Sequence, residues 1–319
     1  MTGAIDGRAE VTAQGGSPDN ASDGMVWIPG GQFLMGSSRH YQEEAPPRTA
    51  TVEGFWMDRA PVTNREFAAF VSATGYSTLA ECPPDPVQYP GAAPGALQPG
   101  SIVFRPPSSL GGMRFWGDWW AFVPGAHWRT PNGTAPQPGP DHPVVHVAYQ
   151  DAAAYAAWAG KALPSEAEWE RAAWGGQGGT EFAWGDNLAP GGTAMANTWQ
   201  GRFPSEDLAP GGASTSAVGS YPPNAYGLVD MIGNIWEWTA DTSSHHPGSE
   251  HRACCATSQL RSGSSIPRHV IKGGSYLCAP NYCRRYRPPP ASFRRWTAAQ
   301  RISASAASVE PVRPSLTVS

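Results

Sequence analysis

The sequence is poor in charge. Asp, Glu, Lys and Arg make up only 15% of its 319 residues, where about a quarter is usual. The formal net charge is −4, and no basic stripe is present, so neither nucleic acid nor an anionic membrane is expected as a partner. No run of 18 apolar residues occurs, which excludes an expected membrane-spanning helix. No internal repeat is found. The first residues lack the basic, apolar and small-residue order of a secretory signal. Cysteines are few: Cys82, Cys254, Cys255, Cys278 and Cys283. An odd count without a signal fits a reducing, cytoplasmic setting, in which the thiols are available for metal or redox chemistry. The glycosylation patterns at Asn20 and Asn132 then read as chance matches.

What the chain has in abundance is glycine (37), proline (33) and tryptophan (14). No Gly-X-Y period accounts for the glycines. Disordered segments lack aromatics, so the tryptophans argue for a folded domain whose backbone turns often and whose large rings pack between loops.

Residues 1–23 are small and polar and read as a disordered leader, and the folded domain is expected over 24–287. Met25–Ile28 and Phe33–Met35, separated by Pro29-Gly30-Gly31, read as a hairpin-like pair. Thr49–Met57 reads as a strand. Thr63 and Glu66 form a capping box, followed by Phe67, Phe70 and Val71 on one helical face and Gly75 as a stop. Residues 82–141 predict ordered loops held by Trp116, Trp119, Trp120 and Trp128. Val144–Ala148 reads as a strand, Asp151 as the cap of a helix to Ala159 stopped by Gly160. Ser165 and Glu168 form a second capping box, opening a helix through Ala173. Val270–Ser275 reads as the last strand. Short strands and two or three helices in a loop-heavy chain indicate an α+β fold in one domain.

Three stretches could carry chemistry. Cys278-Ala-Pro-Asn-Tyr-Cys283 offers two thiolates, the preferred donors of a soft cation such as Cu(I). The same pair could be a disulfide or half of a zinc site. Glycines precede the pair and Arg284, Arg285 and Arg287 follow it, and nearby cations favour thiolate. Asp230-Met-Ile-Gly-Asn-Ile-Trp-Glu237 spaces two carboxylates around a glycine, compatible with a hard cation or with a solvated loop. His245, His246 and His251 lie near Cys254-Cys255, a possible metal cluster that reads more simply as a surface loop.

The segment Gly273-Gly-Ser-Tyr-Leu-Cys278, continued by Tyr282-Cys-Arg-Arg-Tyr-Arg287, resembles the active-site segment of formylglycine-generating enzymes. Further family-like stretches follow in order: Ile28-Pro-Gly-Gly-Gln-Phe-Leu-Met-Gly36, Pro61-Val-Thr-Asn64, His142-Pro-Val-Val145, Leu163-Pro-Ser-Glu-Ala-Glu-Trp-Glu170, Ala196-Asn-Thr-Trp-Gln-Gly201 and Gly233-Asn-Ile-Trp-Glu-Trp238. Most of these mark the wider sulfatase-modifying-factor superfamily, which includes ergothioneine-pathway sulfoxide synthases and lectin-like binding modules. The paired cysteines separate the formylglycine enzymes from both.

The resemblance implies a loop-rich, C-type-lectin-like fold. It implies an oxidase that uses molecular oxygen to convert the cysteine of a Cys-X-Pro-X-Arg segment to Cα-formylglycine. The partner is an unfolded or nascent sulfatase polypeptide, and a monomer is expected. It assigns Cys278 and Cys283 as Cu(I) ligands, with Ser275, Tyr282 and Trp236 lining the pocket. It also implies calcium (Ca2+) held by the side chains of Asp230 and Glu237 and the carbonyls of Gly233 and Ile235. A second calcium would use Asn197 and the Thr198 carbonyl, with Asp207 as the nearest acidic candidate.

The resemblance stops at Arg287. The family's Ala-Ala-Arg and closing Gly-Phe-Arg strand are replaced by Pro288-Pro-Pro-Ala-Ser-Phe-Arg-Arg-Trp296 and an Ala/Ser-rich end. Residues 288–319 are therefore expected to be an atypical, disordered tail, as a reading-frame change near Pro288 would produce. The strand behind the active-site segment is expected to be missing, leaving a family member inactivated by its altered C-terminus as an alternative.

Overall fold

The structure, a computed structural model, describes residues 24–88, 91–92, 97–105, 119–136, 138–242, 268–295 and 302–303. Strands β1 (Met25–Ile28), β2 (Gly31–Met35), β3 (Arg48–Val52) and β4 (Phe55–Asp58) open the chain. Contrary to the expected hairpin, β1 and β2 do not pair with each other. β2 pairs antiparallel with β3 and β1 with β4, so the four form one long ribbon bent midway. The bend also splits the single strand expected over Thr49–Met57. Its cause is close backbone approach: a Cβ on Gly30 would lie 2.6 Å from the Gly54 nitrogen, and a Cβ on Gly54 would lie 2.4 Å from the Trp27 ring. Only glycines allow the two chains to cross there.

Helix α1 (Asn64–Thr74) begins as its capping box dictates. The Glu66 N–H donates to Thr63 Oγ1 at 3.3 Å, and the Thr63 N–H donates to Glu66 Oε2 at 2.7 Å. Gly75 ends it in the left-handed conformation. Between α1 and the next helix lies a hairpin that the composition hid, β5 (Gly100–Phe104) with β6 (Trp120–Pro124). Trp128 is fully buried, and Trp119 and Trp120 pack half-buried against Phe203 and Phe104 respectively. Trp116 lies outside the described residues.

Val144–Ala148 is buried but is not a strand. Pro143 makes an isolated bridge to Thr63, and His146 takes φ 59, which breaks extension. Its Nε2 lies 2.9 Å from the Pro131 carbonyl oxygen. Helix α2 (Tyr149–Trp158) is capped at Ala148, three residues earlier than the expected cap at Asp151. Asp151 sits at its third position and accepts from the Ala148 N–H at 2.7 Å. Helix α3 (Glu166–Trp174) is capped by Ser165 and Glu168 as the sequence predicts, with Gly175 in the left-handed conformation.

The main sheet gathers β7 (Trp236–Thr242), β8 (Arg268–Lys272), β9 (Ser292–Arg295) and β10 (Ile302–Ser303), in the order β10-β7-β8-β9. β8 stops at Lys272, because Gly273 and Gly274 turn with φ 91 and 77. The expectation of a wholly disordered tail with no closing strand is corrected here. Residues 288–292 are buried, and β9 pairs antiparallel with β8, Ile271 facing Ser292. A strand's pairing needs only backbone donors and acceptors in register, so a four-residue Ser-Phe-Arg-Arg strand carries almost no signal in its side chains. Trp128, Trp169 and Trp238 are among the largest fully buried side chains. No helix among the described residues is long and apolar enough to cross a membrane.

Candidate active site

The segment after β8 forms the site. Gly274 must be glycine: its φ is positive, and a Cβ would sit 2.9 Å from the Tyr286 nitrogen. The two arms of the segment, before Cys278 and after Cys283, therefore touch backbone to backbone. The Cys278 N–H donates to the Ser275 carbonyl at 2.8 Å, and the Cys283 N–H donates to the Ala279 carbonyl at 2.9 Å. These turns fold 275–283 back on itself.

Cys278 and Cys283 are not joined in a disulfide, and each is only 2% exposed. Both belong to the same core cluster as Trp236 and Tyr286. The phenol of Tyr286 is raised above its ordinary pKa, mainly by burial and opposed by Arg284, with both thiols adding to the rise. One hydroxyl thus feels both sulfurs. Cys278 Sγ accepts from the Ser275 N–H at 3.4 Å, while Ser275 Oγ accepts from the Leu277 N–H at 3.3 Å. Tyr282 stacks on Phe203 at 4.1 Å and meets Trp119 edge-on at 6.0 Å. Trp236 heads β7 and is 8% exposed. Trp236 and the two cysteines share one core cluster against which Tyr282 packs, and Ser275 is hydrogen-bonded to Cys278. Cys82 is exposed and free. Cys254, Cys255 and the three neighbouring histidines lie outside the described residues.

The arginines after Cys283 tie their arm to a segment far away in the chain. The Arg284 N–H donates to Tyr41 Oη at 2.9 Å, Arg285 pairs with Glu43 and lies 4.0 Å over the Tyr41 ring, and Arg287 pairs with Glu44 at 2.8 Å. Segment 41–44 thus holds the arm after Cys283, a contact not legible in the sequence. The only available signal was an acidic pair and an arginine cluster 243 positions apart. Burial pushes the Glu44 carboxyl from 4.5 up to about 7, against the pull of Arg287. The folded pKa lies above the unfolded one, so this contribution to stability is fully present below about pH 4.5 and is lost as pH rises through about 7. The melting-temperature contribution of this group should therefore fall between about pH 4.5 and 7, with a shallower fall in Glu44→Gln, measured by calorimetry in matched buffers. An equal slope in both proteins would refute the assignment.

The arm before Cys278 is anchored as well. Lys272, fully buried, donates to Glu170 at 2.8 Å, Glu166 at 3.3 Å and the Pro289 carbonyl at 2.8 Å. Glu170 also accepts from the Gly36 N–H at 2.7 Å.

The carboxylates considered for calcium are both buried. Asp230 takes φ 56, accepts from the Gly219 N–H through Oδ2, and keeps Oδ1 buried with no hydrogen-bond partner. Burial pushes its carboxyl up to about 6. Glu237 accepts from the Trp169 indole at 2.7 Å. The Gly233 carbonyl accepts from the Ile235 N–H at 2.6 Å. The residues named for the second set make hydrogen bonds within the protein. Asn197 donates from its amide nitrogen to three oxygens, the Thr198 carbonyl accepts from Gln200, and Asp207 accepts from Ala209 and Ala213 N–H groups of its own loop.

The loop-rich α+β chain belongs to the sulfatase-modifying factor family: residues 11–305 match the sulfatase-modifying factor enzyme 1-like domain. Among individual relatives, the formylglycine-generating enzyme of Mycobacterium tuberculosis is 53% identical over 280 residues, covering 84% of this chain and 91% of that one. The formylglycine-generating enzyme of Streptomyces coelicolor is 44% identical over 271 residues, covering 83% and 82%. The solved structure of PvdO from Pseudomonas aeruginosa shares the fold with a TM-score of 0.54 at 24% identity, over 89% of this chain and 94% of that one.

Proposed function

We propose that this chain is a formylglycine-generating oxidase that acts on the cysteine of a Cys-X-Pro-X-Arg segment in an unfolded or nascent sulfatase, with molecular oxygen as co-substrate. The observation that carries this reading is the pair of buried, free thiols beside Tyr286. Two sulfur donors in an apolar wall suit Cu(I), and Cys278 and Cys283 would hold it. Copper bound there supplies the redox chemistry with oxygen. The chain's own residues do the rest. Tyr282, Trp236 and Phe203 form the wall that excludes water. Ser275 holds the turn through its contacts with Cys278 and Leu277. The two anchored arms fix the thiols before substrate arrives.

Calcium fits the first of its two sets. The orphaned Oδ1 of Asp230 supports a cation there, with Glu237 and the Gly233 and Ile235 carbonyls as the remaining donors. Free thiols at the centre suit a reducing compartment, so the cytoplasm is the proposed location, and the chain is proposed to act as a monomer. A lectin-like module of the same superfamily would not need both cysteines.

The test offers the Cu(I)-loaded full chain a Cys-X-Pro-X-Arg peptide under oxygen and follows conversion of thiol to aldehyde by mass spectrometry. Aldehyde is expected. A folded, copper-loaded chain that yields none would overturn the proposal.

A further inference from the structure

We infer that Asn281, which lies between the two cysteines, is a positioning residue: it latches a neighbouring loop onto the thiol turn and so sets the aromatic wall beside the sulfurs. The role deepens the oxidase reading of the same site, and its kinetic consequence rests on that reading. The loop spans residues 199–208 and is closed on itself. The Leu208 N–H donates to the Gln200 carbonyl at 2.9 Å, and the Trp199 indole donates to the Glu206 carbonyl at 3.0 Å. A Cβ on Gly201 would lie 2.6 Å from that same Glu206 oxygen. Phe203 stands in the turn between these contacts.

Phe203 is 4% exposed and is the hub of the wall. Its ring stacks on Tyr282 at 4.1 Å with 12° between the planes. It also meets Trp199 at 5.0 Å, Phe104 at 5.6 Å and Trp119 at 5.8 Å. Tyr282 in turn packs against two clusters, the one containing Phe203 and the one containing Cys278 and Cys283. The position of Phe203 therefore bears on the ring that borders the thiols.

Asn281 brackets the backbone of Phe203 from the thiol turn. Its Nδ2 donates to the Phe203 carbonyl at 2.8 Å, and its Oδ1 accepts from the Phe203 N–H at 3.3 Å. An amide side chain carries a donor and an acceptor side by side, as this bracket requires. A buried peptide unit needs partners for both its polar groups, and Asn281 supplies them for Phe203. A second tie joins the same two segments, since the Trp199 N–H donates to the Cys278 carbonyl at 3.0 Å. Asn281 is itself exposed, so its truncation leaves no cavity in the core. Without the bracket, Phe203 is free to leave Tyr282 and the cover of the thiols loosens.

The experiment treats the metal-free full chain with iodoacetamide and follows the labelling of Cys278 and Cys283 by peptide mass spectrometry. The unaltered chain is compared with Asn281→Ala, Phe203→Leu and the double variant. Asn281→Ala should label about tenfold faster, the factor that two hydrogen bonds of ordinary net strength supply. Phe203→Leu should also speed labelling. In that background Asn281→Ala should add less than about twofold, because the ring it sets is gone. With copper and peptide, Asn281→Ala should raise KM about tenfold and leave kcat within about twofold, as expected of a residue that shapes the wall and not the metal ligands. Unchanged labelling in Asn281→Ala, full additivity in the double variant, or a fall in kcat at unchanged KM would each overturn the inference. If Asn281→Ala does not fold, Asn281→Asp, which keeps the acceptor and loses the donor, carries the same comparison. Labelling is read without copper or turnover, so a chain that forms no aldehyde would sink the oxidase reading while the latch is still decided by the labelling rates.

Discussion

Cys278→Ser and Cys283→Ser, made singly, should each lower formylglycine production by at least about 100-fold, since even the outer partners of metal ligands cost 10–100-fold when lost. Serine is close to cysteine in size, so the core keeps its shape. Its hydroxyl is a hard donor and a poor one for Cu(I). Both side chains are nearly fully buried, so each new hydroxyl needs a partner and costs about 1–3 kcal/mol where it finds none. The two effects separate experimentally. Copper affinity, measured by competition with a Cu(I) chelator, should collapse in both variants. Far-ultraviolet circular dichroism should stay unchanged, with only a moderate drop in melting temperature. Turnover retained in either serine variant would remove the thiol pair from the chemistry.

Lys272→Met should be the most destabilising single change outside the apolar core. Burial pulls the Lys272 ammonium down, but Glu170 and Glu166 outweigh it and hold the group above its ordinary value. Glu170 is itself pushed up by burial. Removing the cation leaves two buried carboxylates facing each other and leaves the Pro289 carbonyl without its lysine donor. Breaking a buried ion pair from one side costs about 3–5 kcal/mol, equivalent to about 10 °C of melting temperature in a domain of this size. Combining Lys272→Met with Glu170→Gln removes one of the stranded charges and should recover part of the loss. Denaturant unfolding of the single and double variants checks this. A loss under about 1 kcal/mol in Lys272→Met would show that the cluster does not anchor the arm before Cys278.

Both predictions concern one design: a short loop carrying two thiols, fixed at each end by buried ion pairs. Glu170 links the two ends, since it binds Lys272 on one side and the Gly36 N–H on the other. Gly36 leads directly into the segment whose Ser37 N–H donates to the carbonyl of Glu44, the partner of Arg287.

The parts of this protein legible in the sequence are those decided within a few residues. Thr63 and Glu66, and Ser165 and Glu168, satisfy orphan N–H groups of the helix they open, so each cap announces its helix. Gly75 and Gly175 announce the ends, because the left-handed conformation suits glycine. The cysteine pair and its flanking glycines were equally plain, since donor type and spacing are local properties. Strand partners were not. The Pro29-Gly30-Gly31 turn looked like a hairpin, yet β1 chose β4, because pairing is settled by register across the whole ribbon and by room at Gly54. The buried run at Val144–Ala148 looked extended, but one left-handed histidine directs it otherwise.

The sequence by itself thus determined that three helices exist and where two of them are capped, the cysteine pair as a candidate site, and the family. The tertiary structure alone decided that Glu44 meets Arg287, that Asn197 reaches the Ser214 carbonyl, and that the atypical C-terminal stretch closes the sheet through β9. The physical reason is the same in each case. Caps and turns satisfy hydrogen bonds inside one short segment, whereas ion pairs and strand pairing bring together groups far apart in the chain. Which distant groups meet depends on the packing of everything between them.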